Sequence, residues 1–178
     1  QLIDNRHIVL KKMNDNYKIK LGNDISIKPF LVPHRNELSE TAGYKIQSKT
    51  HSIIYIPDID CWEEWNVNLN DLLQENNILI LDGTFYTKTE IKNRDIKKIP
   101  HPSIIDTMNL TKNNSILQKN KIYFTHLNHT NNAINKDTAE YKNIITSGYN
   151  ILEELIKNKN YNVYTSFDES ITEIDQAI

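Results

Sequence analysis

The feature that most constrains this chain is a change in hydrophobic pattern about one third of the way along. Tyr17-Lys18-Ile19-Lys20-Leu21 alternates apolar with polar and is followed by the turn residues Gly22-Asn23-Asp24. Ile25–Val32 follows as a second strand, with Pro29 suggesting an edge or a bulge. Gly43–Ile46 and Ser52–Ile56 are two more strands, joined by the polar segment Gln47–His51. This is a meander of antiparallel hairpins. Beyond it the apolar runs become short and continuous: Ile78-Leu79-Ile80-Leu81 and Ile122-Tyr123-Phe124 read as strands covered on both faces. Between them lie helical patterns. Trp62, Trp65, Leu69, Leu72 and Leu73 predict short helices within Cys61–Leu73. Pro102 fits the first turn of a helix reaching about Leu110, and Lys136–Ile145 predicts another. Hairpins followed by strands alternating with helices imply a layered α/β fold.

The chain divides into a domain over residues 1–150 and a tail of uncertain placement over 151–178. In the tail, Ile151–Ile156 reads as helix, Asn162–Thr165 as strand, and the acidic end as frayed. A chain of 178 residues can bury roughly 70% of its unfolded surface, so it needs neither disulfide nor metal simply to fold. Cys61 is its one cysteine, which excludes a disulfide framework and a cysteine-based zinc cluster and favours a reducing, cytoplasmic setting. A net charge of −2 without a Lys/Arg stripe gives no footprint for nucleic acid. No apolar run approaches the roughly 18 residues needed to span a bilayer. Four glycines, none in a phosphate-cradling loop, leave no nucleotide motif.

The chemistry-bearing residues recur at the ends of the apolar runs. His34 follows Phe30-Leu31-Val32-Pro33, and Asp58 follows Ile54-Tyr55-Ile56-Pro57. Asp82 ends Ile78–Leu81, His126 follows Ile122–Thr125, and His129 lies three residues later. His101 stands between Pro100 and Pro102. In layered α/β folds such positions converge on one rim of the sheet, where ligands bind. Imidazole and carboxylate together suit zinc or non-haem iron. Singly, each residue has an ordinary explanation: an aspartate after a strand caps a helix or closes a turn. The recurrence points to a metal site. His7 and His51 stand apart, in structural or exposed positions, and Trp62 and Trp65 read as packing residues.

Several segments, in order between about residues 25 and 135, resemble the pyrroloquinoline quinone (PQQ) biosynthesis protein B family. They are Val32–Tyr44, Tyr55-Ile56-Pro57-Asp58-Ile59-Asp60 with Trp62, Asp82-Gly83-Thr84-Phe85-Tyr86, Ile99-Pro100-His101-Pro102 and His126-Leu127-Asn128-His129-Thr130-Asn131. The resemblance implies the metallo-β-lactamase αββα sandwich. It implies His34, Asp58 and His126 as metal ligands, with Asp58 in the position that often bridges two ions. Asp82 and His101 are similar to the proton-relay pair of the transfer-RNA-processing branch. His129 and Asn131 fall in the motif of the PQQ branch, where catalytic support or contact with substrate is expected. The superfamily's first metal motif, His-x-His-x-Asp-His, has no counterpart here, so the chain is expected to be the C-terminal half of the sandwich. Alone it should be inert and bind metal weakly, with the N-terminal half of the same fold as its partner.

For the whole protein the resemblance implies a Zn2+ or Fe2+ enzyme acting on a small molecule or short peptide, by hydrolysis or by oxidative tailoring. A carrier of PQQ without chemistry and an RNA-processing phosphodiesterase are the alternatives.

Overall fold

A computed structural model describes residues 12–22, 24–35, 39–90 and 100–152. They form a mixed α/β structure around one seven-stranded sheet whose spatial order follows the chain, β1 to β7. Strands β1 (Ile19–Leu21), β2 (Ile25–Leu31), β3 (Ala42–Gln47) and β4 (Ser52–Ile56) pair antiparallel. Strands β5 (Ile78–Asp82), β6 (Ile122–Thr125) and β7 (Asn150–Ile151) then continue the sheet parallel to β4. The switch follows from connection length. Tight turns can only reverse a strand, whereas parallel neighbours need a crossover of a dozen residues or more.

Those crossovers carry α1 (Leu69–Glu75), α2 (Ile104–Thr111) with α3 (Ile116–Lys119), and α4 (Ala139–Thr146). Successive right-handed crossovers to successive neighbours put their helices on the same face. Leu69, Leu73, Ile104, Met108 and Ile144 from these helices share one buried cluster with Ile54, Ile56, Leu79, Leu81, Ile122 and Phe124 from the sheet. The opposite face is a different surface. Its register brings Ile27, Ile46, Ile53 and Ile78 into one row and Tyr44, Tyr55, Ile80 and Tyr123 into another, all half-buried. So β5 is not covered on both sides as its continuous apolar run suggested. Leu79 and Leu81 are fully buried, while Ile78 and Ile80 are not.

Local chemistry moves several boundaries. Pro102 lies ahead of α2, because Ser103 is its N-cap: Ser103 and Asp106 exchange the two hydrogen bonds of a capping box. Within Cys61–Leu73 only Leu69 onward is helical, started by the Asn68 side chain accepting from Asn70 N. Trp62 and Trp65 instead sit in turns, where the Trp62 indole N–H donates to Thr107 Oγ1 and Trp65 stacks on Phe30. Helix α4 starts at Ala139 after its Thr138 cap rather than at Lys136. Ile151 is a strand residue, paired with Phe124 and 5% exposed. Leu152 is helical, as expected for Ile151–Ile156, and the tail from residue 153 on, including Asn162–Thr165, lies outside the described residues, as does His7. Among the described residues no helix is long and apolar enough to cross a membrane.

Candidate metal centre

Strands β2, β4, β5 and β6 all run in the same direction, so their C-terminal ends share one rim. That rim receives His34, Asp58, Asp82 and His126. His101 arrives from the segment before α2, pinned there by its backbone N–H donating to Asp60 O at 3.1 Å.

Asp82 is the anchor. It is fully buried, and both of its oxygens are occupied. Oδ2 accepts from Ile59 N at 3.2 Å and from His101 Nδ1 at 2.7 Å. Oδ1 accepts from Thr84 N at 2.8 Å and from Thr84 Oγ1 at 2.7 Å. Burial pulls the His101 imidazole down, but the hydrogen bond to Asp82 and the charges of Asp82, Asp58 and Asp60 outweigh it and hold its pKa above the ordinary value. Phe85 meets the same ring edge-on. Asp82, His101 and His126 bring one ligand atom each to within 4.8 Å of one another.

The backbone here is unusual. His101 has φ 96° and His126 φ 60°, both in the left-handed region that side chains avoid. Such conformations cost of order 1–3 kcal/mol each and persist only where neighbours hold them. For His126 the neighbours are explicit: buried Asn131 donates through Nδ2 to Gly83 O and Thr84 O, and Asn128 N–H donates to Thr84 O. The same approach explains Gly83, where a Cβ would stand 2.8 Å from Phe124 Cβ and 3.0 Å from Thr125 O.

Beside this triad lies a second group. His34 Nε2 is 3.4 Å from Asp58 Oδ2 and 3.7 Å from Asp60 Oδ1. Asp58 Oδ1 reaches the other way, to 3.4 Å from His101 Nδ1. Among the described residues, neither Asp58 Oδ1 nor Asp60 Oδ1, both buried, has a hydrogen-bond partner. His34 Nδ1 contacts the Arg35 carbonyl at 3.2 Å, and a carbonyl can only accept, so the neutral ring carries its proton on Nδ1. Its bare Nε2 then faces two carboxylates, an arrangement that either a second ring proton or a bound cation would complete.

The donor set fits a divalent cation. Two ligands of one tetrahedral zinc stand about 3.3 Å apart, and the 3.4 Å between His34 Nε2 and Asp58 Oδ2 lies near that value, too long for a good hydrogen bond.

His126 shares a cluster with Asp82 and His101, and Asp58 stands between that cluster and His34. His129 is exposed on the turn after β6 and lies outside the triad. Two contributors went unassigned in the sequence. Asp60 and Thr84 stand there only within the segments that carry the resemblance, without a role. The available signals were an Asp two residues from Asp58 and a hydroxyl two residues beyond a strand-end carboxylate.

A family model described as a Beta-lactamase superfamily domain matches residues 2–127, and the chain belongs to that superfamily. Among solved structures it is similar to Zn(2+)-bound PqqB from Methylobacterium extorquens, with a TM-score of 0.58 and 20% identity. The match covers 79% of this chain and 49% of that one, so the chain spans about half the length of that structure. The likeness establishes a shared fold, metallo-β-lactamase-like in its mixed sheet. No curated protein matches the chain.

Proposed function

We propose that this rim binds one or two divalent transition-metal ions and serves a metal-dependent hydrolase acting on a small molecule or short peptide. The observation that carries the reading is His34 Nε2 facing Asp58 and Asp60, whose Oδ1 atoms are buried and unpartnered, beside the Asp82–His101–His126 triad. His34, Asp58 and His126 are the proposed ligands, with Asp60 closing the His34 side. When bound, such a cation supplies charge stabilisation and acidifies water at neutral pH.

The chain's own residues manage the proton. Asp82 holds the Nδ1–H of His101, which turns Nε2 outward as the atom that takes or gives a proton. The raised pKa of His101 keeps its ring protonated to higher pH than an ordinary imidazole, as an acid role requires. His129, one turn from His126, is proposed to meet substrate. Net charge −2 argues against RNA as that substrate.

Because the chain spans about half of its structural neighbour, we propose that the rest of a sandwich, the N-terminal half of the same fold, supplies further ligands and covers the isoleucine–tyrosine face. The chain alone then binds zinc weakly. Titration of zinc, and of ferrous iron without oxygen, while thermal stability is followed tests the reading. Saturable stabilisation is expected, lost in His34→Ala and Asp58→Asn; at a hundred times Kd linkage adds about 2.7 kcal/mol. No stabilisation by either metal, in the chain or in its longer parent, overturns it. Iron-dependent oxygen uptake replaces hydrolysis by oxidative tailoring, and ligand binding unaffected by both substitutions leaves a carrier.

A further inference from the structure

We infer that Thr84 is a positioning residue: its hydroxyl dictates which nitrogen of His126 carries the proton, and so presents the bare Nε2 to the site. The functional meaning of this rests on the metal-site reading above; the proton accounting does not.

Thr84 is 7% exposed, and its hydroxyl lies among three chemistry-bearing side chains. It stands 2.7 Å from Asp82 Oδ1, 3.0 Å from His126 Nδ1 and 3.3 Å from His101 Nδ1. A hydroxyl has one proton and two lone pairs. The carboxylate can only accept, so the proton goes to Asp82. Towards both imidazoles the oxygen is therefore an acceptor. His101 has already committed its Nδ1 proton to the closer Asp82 Oδ2 at 2.7 Å. His126 Nδ1 is then the donor to Thr84 Oγ1, and its Nε2 is left with a free lone pair. One buried hydroxyl thus couples the carboxylate anchor to the tautomer of a histidine that reaches solvent.

The hydroxyl is itself held. Thr84 N–H donates to Asp82 Oδ1, and its carbonyl accepts from Asn128 N–H and Asn131 Nδ2. These contacts fix the residue whatever its side chain, so the hydroxyl can be removed without freeing the turn. Valine matches threonine in shape and cannot accept a hydrogen bond. In water a neutral imidazole favours the proton on Nε2, so His126 released from Thr84 should revert to the form that masks its ligand nitrogen. Partners of this kind for a metal-ligating histidine are worth about 10–100-fold in metal affinity.

The test is a two-bond proton–nitrogen correlation spectrum of the histidine rings in metal-free, nitrogen-15-labelled protein, at a pH above their titration. Expected is the Nδ1–H form for His126 in the native chain and in Thr84→Ser, and the Nε2–H form or a mixture in Thr84→Val. Zinc affinity, read from thermal stabilisation, should fall about 10-fold or more in Thr84→Val and return in Thr84→Ser. An Nε2–H His126 in the native chain overturns the inference, and so does a Thr84→Val variant that keeps Nδ1–H. If Thr84→Val fails to fold, the native spectrum and Thr84→Ser still decide. Native protein with the expected tautomer but no zinc response sinks the metal reading and leaves Thr84 in its role.

Discussion

The two ends of the parallel strands face different tasks. At the amino ends, polar groups tie the loops down. Asn77 Oδ1 accepts from Ser52 N at 2.8 Å, and Asn77 N donates back to Ser52 O. Lys121 Nζ donates to Leu73 O and Asn76 O, taking up carbonyls at the end of α1. Asn150 Nδ2 reaches Asn120 O and Ile122 O. Among the described residues one neutral amide oxygen there, Asn76 Oδ1, lacks a partner. At the carboxyl ends the same sheet gathers Asp58, Asp60, Asp82, His34, His101 and His126, with two unpartnered carboxylate oxygens and two histidines in left-handed backbone. A neutral orphan costs a hydrogen bond, whereas clustered carboxylates also repel. The amino rim is built for stability; the carboxyl rim gives some of it up to hold these acidic and imidazole groups together.

That contrast breaks first at Asp82, the one carboxyl-rim group that also anchors structure. Asp82→Ala leaves the N–H groups of Ile59 and Thr84 without their acceptor inside the core and removes the partner of His101. A loss of about 3–5 kcal/mol by denaturant unfolding is expected, together with loss of zinc stabilisation. A cost below about 1 kcal/mol would show that the network is looser than its distances imply.

The amino rim should behave in the opposite manner. Lys121→Met removes two charge-assisted hydrogen bonds to carbonyls at the C-terminus of α1. The expected cost is about 1.5–3 kcal/mol, with zinc affinity unchanged once stability is accounted for. A fall in affinity comparable with that of Asp58→Asn would mean that the two rims are coupled.

How much of this was legible in the residues depends on how local each decision is. Strand β4 could be read at its exact bounds, because Ile53–Ile56 is apolar and flanked by a polar turn and a proline. The antiparallel hairpins were legible in their polar turns, whereas the parallel pairing of β4, β5, β6 and β7 was not read from the sequence and shows there only as longer, helix-bearing connections. Helix α2 was misplaced because Pro102 was read as its first turn, although Ser103 and Asp106 spell the capping box that starts it. Ile151 was misread because its strand pairing with Phe124 is a tertiary fact. The site divides in the same way. Strand-end residues announce themselves, since the rim follows from topology. Thr84 and Asp60 enter the site through partners from distant segments, His126 for one and His34 for the other, and residue type alone does not announce those contacts.

The capping box is a stability device set into the carboxyl rim, two residues after His101. Ser103→Ala should cost about 1 kcal/mol. Its partner Asp106 adds a pH signature. Burial pushes this carboxyl up, but the Ser103 backbone and hydroxyl hydrogen bonds and the Lys88 charge outweigh it and hold the pKa below its ordinary 3.8. A depressed carboxylate contributes stability above the unfolded value, lost as pH falls through the folded one. The stability gap between native protein and Asp106→Asn should therefore be constant above about pH 5 and close below pH 3.8. A gap that persists at the lowest pH would assign the effect to packing.

Asp58→Asn is the sharpest reading of the functional rim. It removes a charge that faces His34, Asp60 and His101 without a good hydrogen bond. Stability of the metal-free chain should stay within about 0.5 kcal/mol or rise slightly, while zinc affinity falls at least 10-fold. Destabilisation by more than about 1 kcal/mol would show that Asp58 is held as a structural group, and the contrast between the rims would weaken.

His129 should give the smallest effect. It is exposed on the turn after β6, outside the triad, and the backbone around it is held by Asn131 and by Asn128 instead of by its own ring. Truncating such a side chain usually changes stability by less than about 0.5 kcal/mol. His129→Ala should therefore melt with the native chain and bind zinc with the same affinity. Any role it has must then surface only with substrate, as a raised KM or a lowered kcat in the longer protein. The informative result is a drop in zinc affinity without a drop in stability. It would mean that the turn moves His129 to the metal, and that the carboxyl rim reaches one residue further along the chain than its apo geometry displays.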